Sequence, residues 1–245
     1  PEFLHPGQKE NNLFSKELMK RGILWAEAGA WCNPLTADEK EARKNREYMI
    51  ERLALAEELG AKTCVNIAGT FSSENWYGPH EGNYSEDFFA LAVDTVRYVL
   101  DAVKPRRTTF SVEIMPYNFL DSPQAYLHFL KAVDRKQAAV HLDPCNCICS
   151  PRIYCHISDF LKEAFSLLGD RIVSVHLKDI TMEQNTFTAA FREVPPGEGH
   201  MDYPLLLRLL NHLPADTPAM LEHLPDEAAY RKAFSFVRRI QEEIQ

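Results

Sequence analysis

Short apolar runs that favour β-strands alternate with amphipathic, helix-like segments along almost the whole chain. The six strand-like runs cover residues 23–29, 63–68, 109–115, 138–143, 172–178 and 218–222. The segments between them show the three-to-four-residue apolar spacing of helices that pack one face on a core. Strict alternation of strand and helix predicts parallel strands joined by right-handed crossovers. The chain is therefore predicted to be an α/β protein.

Start and stop signals support the predicted helices. Polar residues stand where four helix N-caps are expected, at Asp38, Ser85, Ser122 and Ser158. Stop signals follow three of these helices, at Gly60, Pro105 and Gly169. Two further helices are predicted at residues 13–21 and 226–243.

Four of the predicted strands carry a residue of metal-ligand type at or near their carboxyl ends. These residues are Glu113, Asp143, His176 and Glu222. Alternate positions beside them are apolar, and the two-residue period of a strand sends the two sets to opposite faces. Because functional residues of parallel α/β folds gather at strand carboxyl ends, we expect these side chains to converge. Three carboxylates and one imidazole suit Mn²⁺, Mg²⁺, Co²⁺ or Zn²⁺.

Composition limits the domain count and the partners. At 245 residues with 45% apolar residues, one domain spanning 1–245 is expected. The net charge of −8 argues against a nucleic-acid partner, and no apolar run approaches the roughly 20 residues that a membrane span requires. The six cysteines match no zinc-ribbon spacing and predict reduced thiols in a cytoplasmic protein. The alternate positions of Cys145, Cys147 and Cys149 leave a second, thiolate metal site open.

The number of predicted strands is smaller than a complete barrel requires. About six strand–helix units are recognisable, whereas a TIM barrel has eight. Residues 2–8 resemble a loop that leaves a strand, and residues 13–21 resemble the helix after it. We therefore expect a TIM (β/α)8-type barrel that lacks the first strand, the first helix and the second strand in this chain. The single domain is accordingly expected to be N-terminally incomplete.

Five segments together resemble the xylose isomerase-like TIM-barrel superfamily, which includes sugar phosphate isomerases and epimerases. They are VE at 112–113, HLDPCN at 141–146, VHLKD at 175–179, PGEGHMDY at 196–203 and LEH at 221–223. The resemblance implies one divalent metal ion, with Mn²⁺ as the first expectation, bound by Glu113, Asp143, His176 and Glu222. It also implies that Glu113 and Glu222 act as acid and base in an isomerase or epimerase of a ketose, sugar phosphate or inosose. That reaction passes through a metal-stabilised enediolate.

Further side chains near the predicted strand ends are candidates for substrate binding: Lys178, Asn146, His141, Asn66 and Trp31. Asn146 stands where many epimerases of this superfamily have a histidine, which leaves the substrate open. Lys178 could equally pair with a neighbouring carboxylate. His141 could support a metal carboxylate or be a hydrogen-bonded core residue. Asp179, which points away from this face, is expected to orient a loop, and His223 to point outward.

Other functions are compatible with parts of this pattern. A keto-inositol dehydratase, which is a lyase, would use much the same metal ligands. A non-catalytic barrel is a second alternative, because folds readily change function. An apurinic endonuclease is disfavoured by the acidic charge and the small ligand set. The expected partner is a small sugar or a polyol-derived ketone, and homo-oligomer formation is left open.

Overall fold

The computed structural model describes residues 4–244, and the chain divides into two compact units that meet in sequence between His141 and Leu142. Each unit combines parallel strands with helices, as the alternating pattern predicts. The expectation that both belong to one domain stays a prediction.

The described part of the first unit, from residue 4 onward, contains four strands and four α-helices, and its last strand ends at Leu142. In chain order they are α1 Lys9–Lys20, β1 Glu27–Gly29, α2 Glu39–Leu59, β2 Thr63–Ile67, α3 Glu86–Val103, β3 Thr109–Glu113, α4 Pro123–Val133 and β4 Ala138–Leu142. The strands pair in parallel in the order β1-β2-β3-β4. Glu113 lies opposite Ile67 on one side and opposite His141 on the other. The carboxyl ends of these strands therefore share one edge of the sheet.

Helix ends in the first unit follow the predicted signals. The side chains of Asp38, Ser85 and Ser122 each accept a backbone N–H from the first turn of the helix that follows. Gly60 ends α2 with a φ of 72°, a left-handed conformation that glycine adopts without strain. These three N-cap predictions are confirmed.

Tyr126 fastens α4 to the sheet of the first unit. Its ring is fully buried, and its hydroxyl accepts the N–H of Val112 at 3.1 Å. The same hydroxyl donates to the carbonyls of Val112 and Ala139, the latter at 3.0 Å. Because these carbonyls belong to β3 and β4, one buried hydroxyl links a helix to two strands.

Up to residue 244, where the description ends, the second unit contains four strands and four α-helices. In chain order they are α5 Pro151–Cys155, α6 Ile157–Leu168, β5 Ile172–Leu177, β6 Asp179–Met182, β7 Phe191–Val194, α7 Tyr203–Leu210, β8 Ala219–Leu221 and α8 Glu227–Glu243. Strand β8 pairs in parallel with β5, and His176 lies opposite Met220. Strands β6 and β7 form an antiparallel hairpin in which Ile180 lies opposite Glu193.

Two features of the second unit differ from the sequence prediction. The hairpin of β6 and β7 was not predicted, because its strands are only four residues long and β7 is partly exposed. The predicted N-cap at Ser158 is wrong, since α6 begins at Ile157. The Ser158 hydroxyl instead hydrogen-bonds Asp202 Oδ2 at 2.6 Å. Ser150 caps the preceding helix α5, which has a proline in its first turn.

Within residues 4–244, the structure contains no helix with the length and apolar character that crossing a bilayer requires.

Candidate metal centre

Three of the four predicted metal ligands come together in the second unit. Asp143 directly follows β4, His176 lies in β5, and Glu222 directly follows β8. Each residue offers one ligand atom, and these atoms all lie within 4.8 Å of one another. His176 Nδ1 is 3.0 Å from Glu222 Oε2 and 3.6 Å from Asp143 Oδ2. Asp143 and His176 are buried, whereas Glu222 keeps part of its side chain accessible.

The two oxygens of Asp143 have different partners. Oδ1 accepts the backbone N–H of Cys145 at 2.9 Å and that of Asn146 at 3.4 Å. These bonds tie the carboxylate to the short 3₁₀ turn Cys145–Cys147 and fix its orientation. Oδ2 faces His176 and Lys178 instead. One oxygen therefore positions the carboxylate, and the other is directed at the centre of the cluster that Asp143, His176 and Glu222 form.

Lys178 forms the ion pair that the sequence left as one of two roles. Its Nζ lies 2.6 Å from Glu222 Oε2, 2.8 Å from Asp143 Oδ2 and 3.6 Å from Glu193 Oε2. The side chain is almost completely buried. Burial alone would lower the pKa of Lys178, but the carboxylates of Asp143 and Glu222 outweigh that effect and raise it. The ammonium is therefore charged at neutral pH.

Both carboxylates of the cluster are ionised as well. Burial would raise their pKa values, but the hydrogen bond from His176 and the charge of Lys178 outweigh it. The pKa of Glu222 falls to about 2, and that of Asp143 lies well below its ordinary value. The two negatively charged carboxylates can therefore bind a cation.

Asp179 organises the loop beside the cluster, as predicted. Its Oδ1 accepts the N–H groups of Ile180 at 2.9 Å and Met201 at 2.8 Å, and Oδ2 accepts that of Gly197 at 2.9 Å. Gly199 approaches the Asp179 carboxylate so closely that a Cβ atom there would collide with it. The loop around Gly197–Met201 is therefore anchored by one buried carboxylate.

No sequence pattern indicates Glu193, because the short hairpin that carries it has no periodic signal. Its Oε1 and Oε2 lie 3.1 and 3.2 Å from Nδ1 of His223. His223 directly follows Glu222 and has a φ of 57°, which is uncommon for a residue with a side chain. Its side chain is 60% exposed, which agrees with the predicted outward orientation.

The remaining candidates lie near the carboxyl edge of the sheet in the first unit. Glu113 ends β3 and is buried, with 6% of its surface exposed. His141 is fully buried, and its Nδ1 lies 3.4 Å from Oε2 of Glu27 in β1. Glu27 was not singled out in the sequence because a lone glutamate at the start of a short strand carries no distinguishing pattern.

Two further candidates surround the loop that follows β1. The buried side chain of Asn66 accepts the backbone N–H of Cys32 at 3.1 Å, so it holds this loop in place. Trp31 is 38% exposed and lines a cavity of about 460 Å³ together with Trp76. Among the described residues, no Lys or Arg lines this cavity.

The donor set of the second unit fits a divalent metal ion. Carboxylate oxygen and imidazole nitrogen are the donors that hard and borderline divalent cations prefer. The Lys178 ammonium already shows that two of these oxygens, Asp143 Oδ2 and Glu222 Oε2, bind a positive charge together. A metal ion would use these two oxygens and Nδ1 of His176.

Curated relatives match this chain at low identity. One from Haemophilus influenzae, named as a candidate L-ribulose-5-phosphate 3-epimerase, is 24% identical over 176 residues. That match covers 72% of this chain and 56% of the relative. A relative of the same name from Escherichia coli is 25% identical over the same shares of the two chains. The chain thus spans little more than half the length of the curated relatives it matches.

Solved structures match over nearly the whole chain. A xylose isomerase-like TIM barrel protein from Mycobacterium smegmatis in complex with magnesium has a TM-score of 0.70 at 16% identity, covering 98% of this chain and 81% of that one. A candidate 3-DHS dehydratase from Bacillus anthracis has a TM-score of 0.67 at 17% identity, covering 95% and 83%. At such identities these likenesses describe the fold, and they confirm the predicted α/β TIM-barrel class.

A sequence model of the family described as "Xylose isomerase-like TIM barrel" matches residues 3–240. This match covers nearly all of the chain and includes every segment on which the predicted resemblance is based. The chain belongs to the xylose isomerase-like TIM barrel family.

Proposed function

We propose that Asp143, His176, Glu222 and Glu113 bind one divalent metal ion. The observation that carries this proposal is the gathering of three ligand atoms within 4.8 Å of one another in the second unit. Glu113 is the proposed fourth ligand because it is a buried carboxylate at the carboxyl end of β3. The solved magnesium complex of a family member supports a divalent ion. Mn²⁺ is our first choice of metal, with Mg²⁺, Co²⁺ and Zn²⁺ as alternatives.

The proposed activity is isomerisation or epimerisation of a ketose, sugar phosphate or inosose. The names of the curated relatives support an epimerase of a phosphorylated ketose. The polar, partly buried cluster supports chemistry on a small oxygen-rich molecule, because two ionised carboxylates and a cation can engage its hydroxyl and carbonyl groups.

The side chains have distinct proposed roles in this chemistry. When bound, the metal ion would supply a Lewis acid that stabilises the enediolate oxygens. Glu113 and Glu222 are proposed to remove a proton from carbon and return it. Because the pKa of Glu222 is about 2, its carboxylate is ionised at neutral pH and is a weak base.

Five further side chains are proposed to contact or position the substrate. Trp31 is half-exposed beside a cavity, and an indole ring suits the apolar face of a sugar. The other four are more deeply placed: Lys178, Asn146, His141 and Asn66. Since His141 and Asn66 already engage Glu27 and Cys32, their proposed role is to hold loop and strand residues in position.

Proton exchange in heavy water tests this function. The full-length protein, supplied with Mn²⁺, should incorporate deuterium at the carbon beside the carbonyl of its substrate, found from a panel of ketoses, ketose phosphates and inososes. Glu222→Gln and Glu113→Gln should abolish exchange. Glu198→Gln is the matched control, since this exposed glutamate pairs only with Lys232 among the described contacts. Full-rate exchange in the Glu222→Gln variant, with metal still bound, would refute the assignment.

Product mass separates the proposed activity from its alternative. An isomerase or epimerase returns a product of unchanged mass, whereas a dehydratase releases one water molecule. The likeness to the Bacillus anthracis structure concerns the fold and leaves the lyase alternative to this measurement. A cytoplasmic location and the lack of a nucleic-acid partner stay predictions, and the oligomeric state stays open.

A further inference from the structure

The Lys178 ammonium binds the same oxygens that the proposed metal ion requires. Nζ lies 2.8 Å from Asp143 Oδ2 and 2.6 Å from Glu222 Oε2, so it bridges the two carboxylates. A divalent ion that uses both oxygens must approach from within a few ångströms of this ammonium. Like charges that close repel strongly where burial excludes water, and Lys178 is 3% exposed. The two cations therefore compete for one pair of oxygens.

Glu193 can form an alternative ion pair with the Lys178 ammonium. Its Oε2 is 3.6 Å from Lys178 Nζ, so a shift of about 0.8 Å would bring the pair to charge-assisted hydrogen-bond distance. Glu193 lies on β7 opposite Ile180, and Ile180 follows Lys178 by two residues in the chain. His223 lies 3.1 Å from the Glu193 carboxylate and helps to fix its position.

The backbone of Lys178 is anchored, so the adjustment is confined to the side chain. The buried hydroxyl of Tyr203 donates to the Lys178 carbonyl at 3.0 Å. The next residue, Asp179, is held by three backbone N–H groups. The flexible four-carbon stem of a lysine can move its ammonium without any change in these bonds.

We propose that Lys178 is a tethered counter-cation that competes with the metal ion for Asp143 and Glu222, and that Glu193 receives its ammonium when the metal binds. This inference rests on the proposed metal site. Lys178 and Glu193 are positioning residues in this account, because they act through the metal ligands. Together they set how tightly the site holds its ion.

Metal affinity in a double-mutant cycle tests the proposal. The experiment compares the full chain with three variants: Lys178→Met, Glu193→Gln and the double variant. Each protein is stripped of metal with EDTA, dialysed and titrated with Mn²⁺ by calorimetry. Lys178→Met removes the competing charge and should tighten Mn²⁺ binding by about tenfold. Glu193→Gln removes the alternative acceptor, so it should weaken Mn²⁺ binding by about threefold in the parent and have no effect in the Lys178→Met background. Lys178→Gln serves as a second variant if Lys178→Met does not fold.

Two controls separate this proposal from the metal site itself. Glu198→Gln removes the same charge from an exposed pair with Lys232 and should leave Mn²⁺ affinity unchanged. Asp143→Asn should abolish Mn²⁺ binding; if it does, the metal site stands and the cycle alone decides the role of Lys178. Unchanged or weaker binding in Lys178→Met overturns the proposal. An equal effect of Glu193→Gln in both backgrounds also overturns it. A failure of both the parent and Lys178→Met to bind Mn²⁺ overturns it together with the metal site.

Discussion

Replacing Asp179 with alanine should destabilise the second unit more than most single substitutions. The carboxylate is 1% exposed and accepts three backbone N–H groups at 2.8–2.9 Å. Because a hydrogen bond to a charged group contributes about 1.5–3 kcal/mol, losing three of them should cost about 4–5 kcal/mol even after partial relaxation. Asp179→Asn keeps the bonds of Oδ1 and loses that of Oδ2 with the exposed Gly197, so it should cost about 2 kcal/mol.

Urea unfolding followed by circular dichroism at neutral pH measures both costs. Asp170→Ala, which removes an exposed aspartate from the same unit, is the matched control and should change the free energy of unfolding by less than about 0.5 kcal/mol. A free energy of unfolding of Asp179→Ala within about 1 kcal/mol of the parent value would contradict this role of the carboxylate, and so would an equal loss in Asp179→Asn and Asp179→Ala.

Three further predictions concern other parts of the chain. Tyr126→Phe removes a buried hydroxyl that links α4 to two strands and should cost about 1–2 kcal/mol in urea unfolding; an unchanged midpoint would contradict this. In the native protein the exposed Cys149 and Cys155 should react fast with a thiol reagent, whereas the partly exposed Cys32, whose pKa burial raises to about 12, should react much more slowly. Mass mapping of labelled peptides checks this, and early labelling of Cys32 would count against it. Because the pKa of Glu222 is lowered to about 2, its contribution to stability should be complete above about pH 4.5 and be lost as the pH falls towards 2. In EDTA, the free energy of unfolding of Glu222→Gln should therefore fall less steeply with decreasing pH than that of the parent. Identical pH dependences of the two proteins would refute the pKa shift of Glu222.

One rule was enough to predict that three side chains gather near strand ends. Asp143, His176 and Glu222 each stand at or just after the end of a strand, and parallel strands bring such ends to one edge. The N-caps Asp38, Ser85 and Ser122 can also be predicted from the sequence, because capping depends on a few neighbouring residues.

The sequence could not predict contacts that depend on tertiary partners. Glu193 reaches Lys178 only because a short hairpin with a partly exposed second strand folds back, and four-residue strands carry no dependable periodicity. The pair of His141 and Glu27 joins strands far apart in the chain. Ser158 has the chemistry of an N-cap, but Asp202 attracts its hydroxyl and the helix begins one residue earlier.

Anomalous diffraction from crystals of the protein grown with Mn²⁺ would locate the proposed metal ion. We expect one strong peak about 2.0–2.3 Å from donor atoms of Asp143, His176, Glu222 and Glu113. A peak at another place, or no peak while Lys178 still bridges Asp143 and Glu222 at saturating Mn²⁺, would contradict this proposal.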